Sequence, residues 1–514
     1  MKKIKNWQWL IGIFILSLII FFPSLTNFFT HDDFFLLKIS RISSFGGFLN
    51  FFNLLRGPEG LGMYRPLAMQ TFYLLDWKLF NLNPLGLHAI SFITFFAVVY
   101  LVYKLAQVLL SSHPARRSYA SGVAGGPLPI THYPLSINAV PLMAAFLYAT
   151  SASHFGHLYS LGTYPELLVT LFTLLGAINF IDFIKGRGER YLLFSFLCFL
   201  GGLLSKETFA IIPALFVLIY LYYLVTDRKN LVKPRTFIIS LIPFIAVLIG
   251  YFYFRFRYFG LPKGDSYIWV FSSRVFNTLA WYFLWALNLP EMLVDFVGPG
   301  LRLNPNLFKY WSREIIPIFV LFGLQLVLLF YAFLKSFVTR NKSQITNHYS
   351  LFTFCMAWFV ICLLPVLFLP LHKFTYYLTL PLVGFTIFIS YLLVTIHHSP
   401  VTILFFSLWL SLSVPILALT SETHWMTRGA EISKKVYVYF QINKQTLEGK
   451  TIVFYDTDED KNLPWLPSNL LKVTLSEKNF FDVFYPNRIK AYYGDPGIEG
   501  NNVLKIKARQ FLGY

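Results

Sequence analysis

The feature that most limits what this chain can fold into is the recurrence of apolar runs. A run of about 20 residues is long enough to cross a ~30 Å hydrocarbon core as a helix. Eleven such runs occupy residues 8–26, 86–109, 138–156, 164–184, 191–205, 208–225, 236–254, 314–335, 351–370, 375–396 and 401–419. Charged residues make up only 13% of the 514 and hydrophobic ones 56%, too few charges to clothe a water-soluble surface and too much apolar content for disorder. The fold class read from this pattern is an α-helical polytopic membrane protein with 11 transmembrane helices.

The formal net charge of +19 contains no basic helix or Lys/Arg-rich run of the kind that grips nucleic acid, and no nucleic-acid partner is expected. Topology accounts for much of it. The first run follows Lys2, Lys3 and Lys5 and ends in Pro23 and bulky residues rather than a small-residue cleavage site, so it reads as an uncleaved first span. Basic clusters at Lys104/Arg116/Arg117, Lys185/Arg187/Arg190, Arg228/Lys229/Lys233/Arg235 and Lys335/Arg340/Lys342 each follow an even-numbered run. By the positive-inside rule those loops and the N-terminus are cytoplasmic, and the C-terminus lies outside a cell membrane.

Two outer segments, 27–85 and 255–313, mix charges with aromatic residues and read as helices lying along the interface. Residues 268–289 are apolar enough to span, but a span there would invert every later loop, so they are placed on the outer surface. The Gly/Pro/Ser-rich stretch 111–136 reads as a flexible cytoplasmic loop. The chain thus divides into a transmembrane domain, 1–419, and a small extracytoplasmic α+β domain, 420–514, where strand-like runs such as Thr451–Tyr455 and Val503–Lys507 alternate with turn signals. Cys198, Cys355 and Cys362 all fall inside apolar runs, so neither a disulfide framework nor a CxxC metal site is implied.

Several polar groups fall on the outer side of this topology. His31-Asp32-Asp33 follows the first span; one carboxylate suits a general base, and either can instead cap the helix that starts at Phe34. In Tyr64-Arg65-Pro66, the planar fork of Arg65 suits a phosphate, or the side chain snorkels. Ser205-Lys206-Glu207 follows a run of only fourteen residues (Tyr191–Leu204), about 21 Å of helix. That is shorter than the core, so Lys206 and Glu207 are expected in a water-filled recess, where charges mark function. Glu166, after Tyr164-Pro165, sits where an acid caps a helix start. His154 and His157 share a helix face at a spacing that permits a metal shared with the Asp pair; Mg or Mn is possible, although too few oxygen ligands assemble. His372-Lys373, Arg255 and Arg257 are interfacial anchors or site cations.

The order of motifs resembles the GT-C glycosyltransferase superfamily, nearest to its TMTC-type and protein O-mannosyltransferase relatives. Asp32-Asp33 after the first span, YRPLAMQTFYLLDWKLFNLNPLGLHAISF (Tyr64–Phe92), LLSKETFAIIP (Leu203–Pro213) and HKFTYYLTLP (His372–Pro381) carry the resemblance, over roughly residues 1–395. It implies a polyprenyl-phosphate monosaccharide donor, a base at Asp32 or Asp33, and donor-phosphate cations at Arg65, Lys206 and Lys373. Lys373 stands where the relatives carry Arg and loses the bidentate fork. Tyr64, Glu166, Glu207, His154 and Arg255 would line the cavity and hold the acceptor. No tetratricopeptide repeats follow, unlike in TMTC-type chains, so acceptor choice does not transfer.

The favoured reading is a membrane glycosyltransferase that moves a hexose, mannose or another, from the lipid donor to an acceptor hydroxyl on a protein, lipid or glycan. It is inverting, because no second carboxylate nucleophile is evident. A lipid-linked sugar transporter or flippase binding the same lipid without chemistry is the alternative. A scaffold whose active part is the outer domain is a third.

Overall fold

The computed structural model describes residues 6–55, 62–111, 137–260, 264, 266–298, 302–338, 342–395, 399–494 and 497–513. The loop expected at 111–136 lies, but for Ser111, outside them. The chain is mostly helical. Eight helices among the described residues are long and apolar enough to cross a membrane: Asn6–Thr26, Pro84–Ser111, Leu161–Ile184, Glu207–Thr226, Pro234–Tyr258, Asn306–Ser336, Tyr349–Leu367 and Pro400–Thr423. They make a multi-pass helical membrane protein.

In chain order the body comprises α1 (Asn6–Phe21), α2 (Asp32–Ser40), α3 (Pro84–Ser111), α4 (Val140–Ala149), α5 (Tyr164–Ile184), α6 (Glu189–Leu203) and α7 (Ile212–Thr226). It continues through α8 (Pro234–Tyr258), α9 (Arg274–Ala286), α10 (Asn306–Val338), α11 (Lys342–Leu367), α12 (Pro381–Thr395) and α13 (Ser399–Thr423). Pro84, Pro141, Pro165, Pro213 and Pro234 sit in first turns, where a missing N–H leaves no bond unmade. The spans of α3 and α5 are 56% and 61% buried by protein and form the centre, whereas those of α1, α8 and α10 are 28% buried and turn most of their surface outward. Aromatic stacking ties the central layer together: Phe180 of α5 lies 4.0 Å from Phe216 of α7, and Tyr220 lies 3.9 Å from Phe237 of α8.

Three of the eleven expected runs form helices shorter than a span. In 138–156, α4 stops after ten residues, Ser151 caps the next turn, and Asn288 holds that turn. Its Oδ1 accepts from Ala152 N at 3.1 Å and Ser151 Oγ at 3.0 Å. The run 375–396 opens with the tight turn Thr375–Leu378 and leaves fifteen residues for α12; α6 is also fifteen residues long. The stretch 268–289 folds as an extended segment followed by α9, a thirteen-residue amphipathic helix that buries Trp281 and Trp285 and exposes Phe276 and Phe283. A two-residue hairpin, β1 (Val297–Gly298) with β2 (Arg302–Leu303), follows it.

Beyond the last apolar helix the chain differs from the expected α+β unit in two ways. Helix α13 runs on to Thr423, so the boundary anticipated at 419/420 falls inside a helix, and His424 caps α14 (Trp425–Ile442) instead. The sheet is also parallel: β3 (Thr451–Tyr455) is central, with β4 (Lys490–Tyr493) and β5 (Val503–Lys507) on either side, and Val453 opposite both Tyr492 and Lys505. Between β3 and β4 the chain crosses through α15 (Pro467–Thr474) and α16 (Asn479–Phe484), and a crossover of that kind returns a strand parallel to the first. The unit is therefore α/β in character.

Candidate functional site

Arg65, Glu166, Lys206 and Glu207, four of the polar groups singled out in the sequence, come together because their segments are pinned to one another. Arg65 precedes the helical run 66–80, and Leu67 N donates to Leu204 O, the end of α6, at 3.1 Å. That bond joins the Tyr-Arg-Pro and Ser-Lys-Glu segments. Helix α6 ends there tightly: a Cβ on Gly202 would lie 2.2 Å from the Phe209 ring, so any larger residue would have to push that ring aside. The same holds at Gly86 in the Asn-Pro-x-Gly segment, where a Cβ would fall 2.1 Å from Phe80.

Four charges meet at this junction. Arg65 donates through Nε to Glu207 Oε2 at 2.9 Å and through its terminal nitrogen to Oε1, a bidentate pair, and Arg65 is buried. Lys206 Nζ donates to Glu166 Oε1 in the first turn of α5 and lies 4.8 Å over the Tyr377 ring. Both Lys206 and Glu166 are buried. Two cations and two carboxylates thus alternate in a compact, net-neutral cluster. Where a recess was anticipated around Lys206, the side chain is enclosed by these partners.

The two aspartates at the start of α2 have different surroundings. Asp33 is buried: Oδ2 accepts from Thr30 N at 2.9 Å, Oδ1 accepts from the Tyr73 hydroxyl, and Gly162 N adds a further donor. The bond from Thr30 N ties Asp33 to the residue before the N-cap His31, which itself makes no side-chain cap bond. Burial pushes its carboxyl up to about 7, against the opposing pull of Tyr73 and Thr30. Asp32 is exposed, and its side chain has no hydrogen-bond or ion-pair partner among the described residues. The surrounding protein still raises its carboxyl above the ordinary value. The charges of Arg65, Glu207, Asp32 and Glu166 all bear on the Tyr267 hydroxyl.

His372 completes this face. Its ring lies 4.1 Å from that of Tyr267; Nε2 meets the Tyr377 hydroxyl at 2.9 Å and Nδ1 the Ser266 hydroxyl at 3.3 Å. Burial, and then the charges of Lys206 and Arg65, lower it to about 4, so it is a neutral imidazole at neutral pH. The sequence reading placed one of three donor-phosphate cations at its neighbour. Lys373 turns away toward Asn277, at 3.5 Å, and the charge of Asp295.

Three other expected cavity residues are engaged elsewhere. His154 is fully buried, donating from Nε2 to Tyr148 O at 2.6 Å and meeting His157 Nε2 at 2.9 Å, so the pair is a core bracket that does not face the aspartates. The Tyr64 hydroxyl is spent on Phe52 O at 2.9 Å while its ring packs on Phe259. Arg255 bonds Gly260 O at 3.1 Å and closes its own helix end, reaching the cluster only through the intervening Tyr251. Among the described residues no three His, Cys, Asp or Glu side chains converge as a group that could hold a metal ion.

The sequence reading missed Tyr73, Tyr267 and Tyr377. No spacing signal marks them among 31 tyrosines, although Tyr73 and Tyr377 lie inside the quoted motifs. It also missed Glu291, which accepts from Thr375 N at 2.8 Å and from the Thr375 hydroxyl, and faces His424 Nε2 at 3.5 Å. Burial alone would raise Glu291, but His424 and Thr375 outweigh it and hold the carboxyl below its usual range. Compared with protein-family models, curated proteins and solved structures, the chain has no match in any of the three.

Proposed function

We propose that this protein is a membrane glycosyltransferase that moves a monosaccharide from a polyprenyl-phosphate donor to an acceptor hydroxyl. On this reading the eight long helices and the three shorter ones, α4, α6 and α12, make eleven crossings. The N-terminus is cytoplasmic, and the charged face and the C-terminal unit lie outside. One observation carries the proposal: Asp32, an exposed residue whose carboxylate has no partner among the described residues, and the buried Arg65–Glu207 pair both act on the Tyr267 hydroxyl. A transferase of this kind needs a base open to an incoming acceptor beside fixed cations for the departing phosphate.

The chemistry follows from those positions. Asp32 takes the acceptor's hydroxyl proton as the acceptor oxygen bonds to the anomeric carbon. The bond from that carbon to the phosphate oxygen breaks, and the polyprenyl phosphate leaves with the electron pair. Attack opposite the leaving group inverts the anomeric centre, and Asp32 acting as a base alone suits a single displacement. Arg65 and Lys206, held by Glu207 and Glu166, face the phosphate as it gains charge. Neutral His372, both ring nitrogens engaged by Tyr377 and Ser266, holds the Tyr377 ring over which Lys206 lies without adding charge. Asp33, its oxygens occupied, orients the start of α2.

The test is transfer from a panel of radiolabelled polyprenyl-phosphate sugars to a crude membrane acceptor by purified protein in detergent. Asp32→Asn should abolish label transfer with donor binding retained, whereas Asp33→Asn should lower it through misorientation. Full turnover by Asp32→Asn would remove the base assignment. Donor binding by wild-type protein without release to any acceptor would favour a lipid-linked sugar transporter.

A further inference from the structure

The acidic pair is gripped from outside the membrane body. His31, immediately before Asp32, adopts φ 51° and ψ −122°, a backbone state that a non-glycine residue enters only when its surroundings impose it. Those surroundings come from the C-terminal unit. His31 N donates at 2.8 Å to Thr474 O, at the end of α15. Its ring stands edge-on to Trp425 at 4.8 Å, and its Nδ1 meets the Thr30 hydroxyl at 2.7 Å. Helix α14 seats the same turn through Gly429, where a Cβ would lie 2.4 Å from His31 Cε1 and 2.5 Å from Thr30 Oγ1.

The grip continues along α2. Phe34 packs edge-on against Phe480 at 5.1 Å, and Lys38 Nζ bonds Asp482 Oδ2 at 2.6 Å and Asn479 Oδ1 at 3.2 Å, all on α16 or at its start. Before the turn, Phe28 lies 5.2 Å from Tyr437 of α14. The membrane body holds the other side, through Tyr73 on Asp33 and the Trp77 indole on Leu37 O at 2.7 Å. A nine-residue helix is too short to persist alone, so α2 takes its orientation from these two flanks.

We propose that the C-terminal unit is a positioning element of the reaction site: through Gly429 and the Thr474 carbonyl it holds His31 in its strained turn and thereby aims Asp32. This rests on the reading of Asp32 as the base. It gives the α/β unit a role in turnover that requires no ligand of its own, and it makes Gly429, about 400 residues along the chain from the aspartates, a positioning residue.

The experiment uses the full chain with Gly429→Ala. The added methyl must displace the His31 ring and the Thr30 hydroxyl, so Asp32 shifts while the donor cations stay in place. A misplacement near 1 Å costs on the order of 100-fold in rate. The expected result is a kcat about 100-fold lower with donor KM nearly unchanged, and faster amide hydrogen exchange confined to residues 28–40. Adding His31→Gly removes the ring, frees the Thr30 hydroxyl to rotate and admits the positive φ, so turnover should recover by at least about tenfold. Unchanged turnover and exchange in Gly429→Ala would overturn the proposal. So would a general loss of fold that His31→Gly does not repair, because the contact would then be structural only. If wild-type protein transfers from no donor, the transferase reading fails by itself, and exchange over 28–40 still decides whether the C-terminal unit holds the loop.

Discussion

Removing Arg65 tests whether the four-charge cluster is a preorganised site or merely a packing solution. In Arg65→Ala, Glu207 loses both bonds of a bidentate pair while remaining largely enclosed, with its side chain 24% exposed. Breaking a fully buried pair from one side costs about 3–5 kcal/mol. Partial exposure of Glu207 reduces this to roughly 2–4 kcal/mol, a 30- to 700-fold fall in the folded-to-unfolded ratio at about 1.4 kcal/mol per decade. Removing both partners in Arg65→Ala/Glu207→Ala leaves no orphaned charge and should recover most of that stability. It should not recover function, because the phosphate has lost its guanidinium. The assay pairs detergent-solubilised thermal inactivation with donor binding and transfer, for wild type, both single variants and the double. Recovery of stability with transfer still lost supports a cluster built for a phosphate. Recovery of both would refute the argument, since Arg65 would then serve only to neutralise Glu207. A double variant as unstable as Arg65→Ala would refute the energetic premise.

Two further outcomes follow from the same geometry. Burial raises the Asp33 carboxyl from 3.8 to about 7, so the folded state holds that proton more tightly than the unfolded chain. The associated stability is complete below about pH 4 and is lost as pH rises toward and through 7, a change on the order of 2–4 kcal/mol. Melting curves from pH 4 to 8 should decline less steeply for Asp33→Asn than for wild type, and identical slopes would contradict the assignment. His372→Ala should reduce transfer at least about tenfold, because Tyr377, the ring under Lys206, loses the bond that holds it, with Lys373→Ala within about twofold of wild type. The reverse order in transfer assays would show that the lysine faces the donor.

How much was legible beforehand depends on whether the signal was local. Apolar length and Lys/Arg placement are properties of single segments, and the eight long helices fall where those runs are. The short α6 was legible too, because its length could be counted against the bilayer. The broken run 138–156 was not, since the turn that interrupts it is held by Asn288, more than 130 residues away. The Arg65, Lys206, Glu166 and Glu207 positions were named from the chain, but their pairing into two salt bridges depends on α5 and α6 packing beside the 66–80 segment. His372 and Lys373 are adjacent and equally polar; only the Tyr267 loop and Tyr377 decide which of the two turns inward.

By itself the sequence determined the solvent of this protein, the places where its helices run and the loops that carry charge, because hydropathy acts over one segment at a time. The tertiary structure alone decided that Asp33 is enclosed and Asp32 open, that His154 belongs to the core, and that the last strands form a parallel sheet gripping α2. Each of those depends on which distant surfaces meet. Burial and hydrogen-bond partnership are properties of pairs of segments, and no single stretch of the chain contains them.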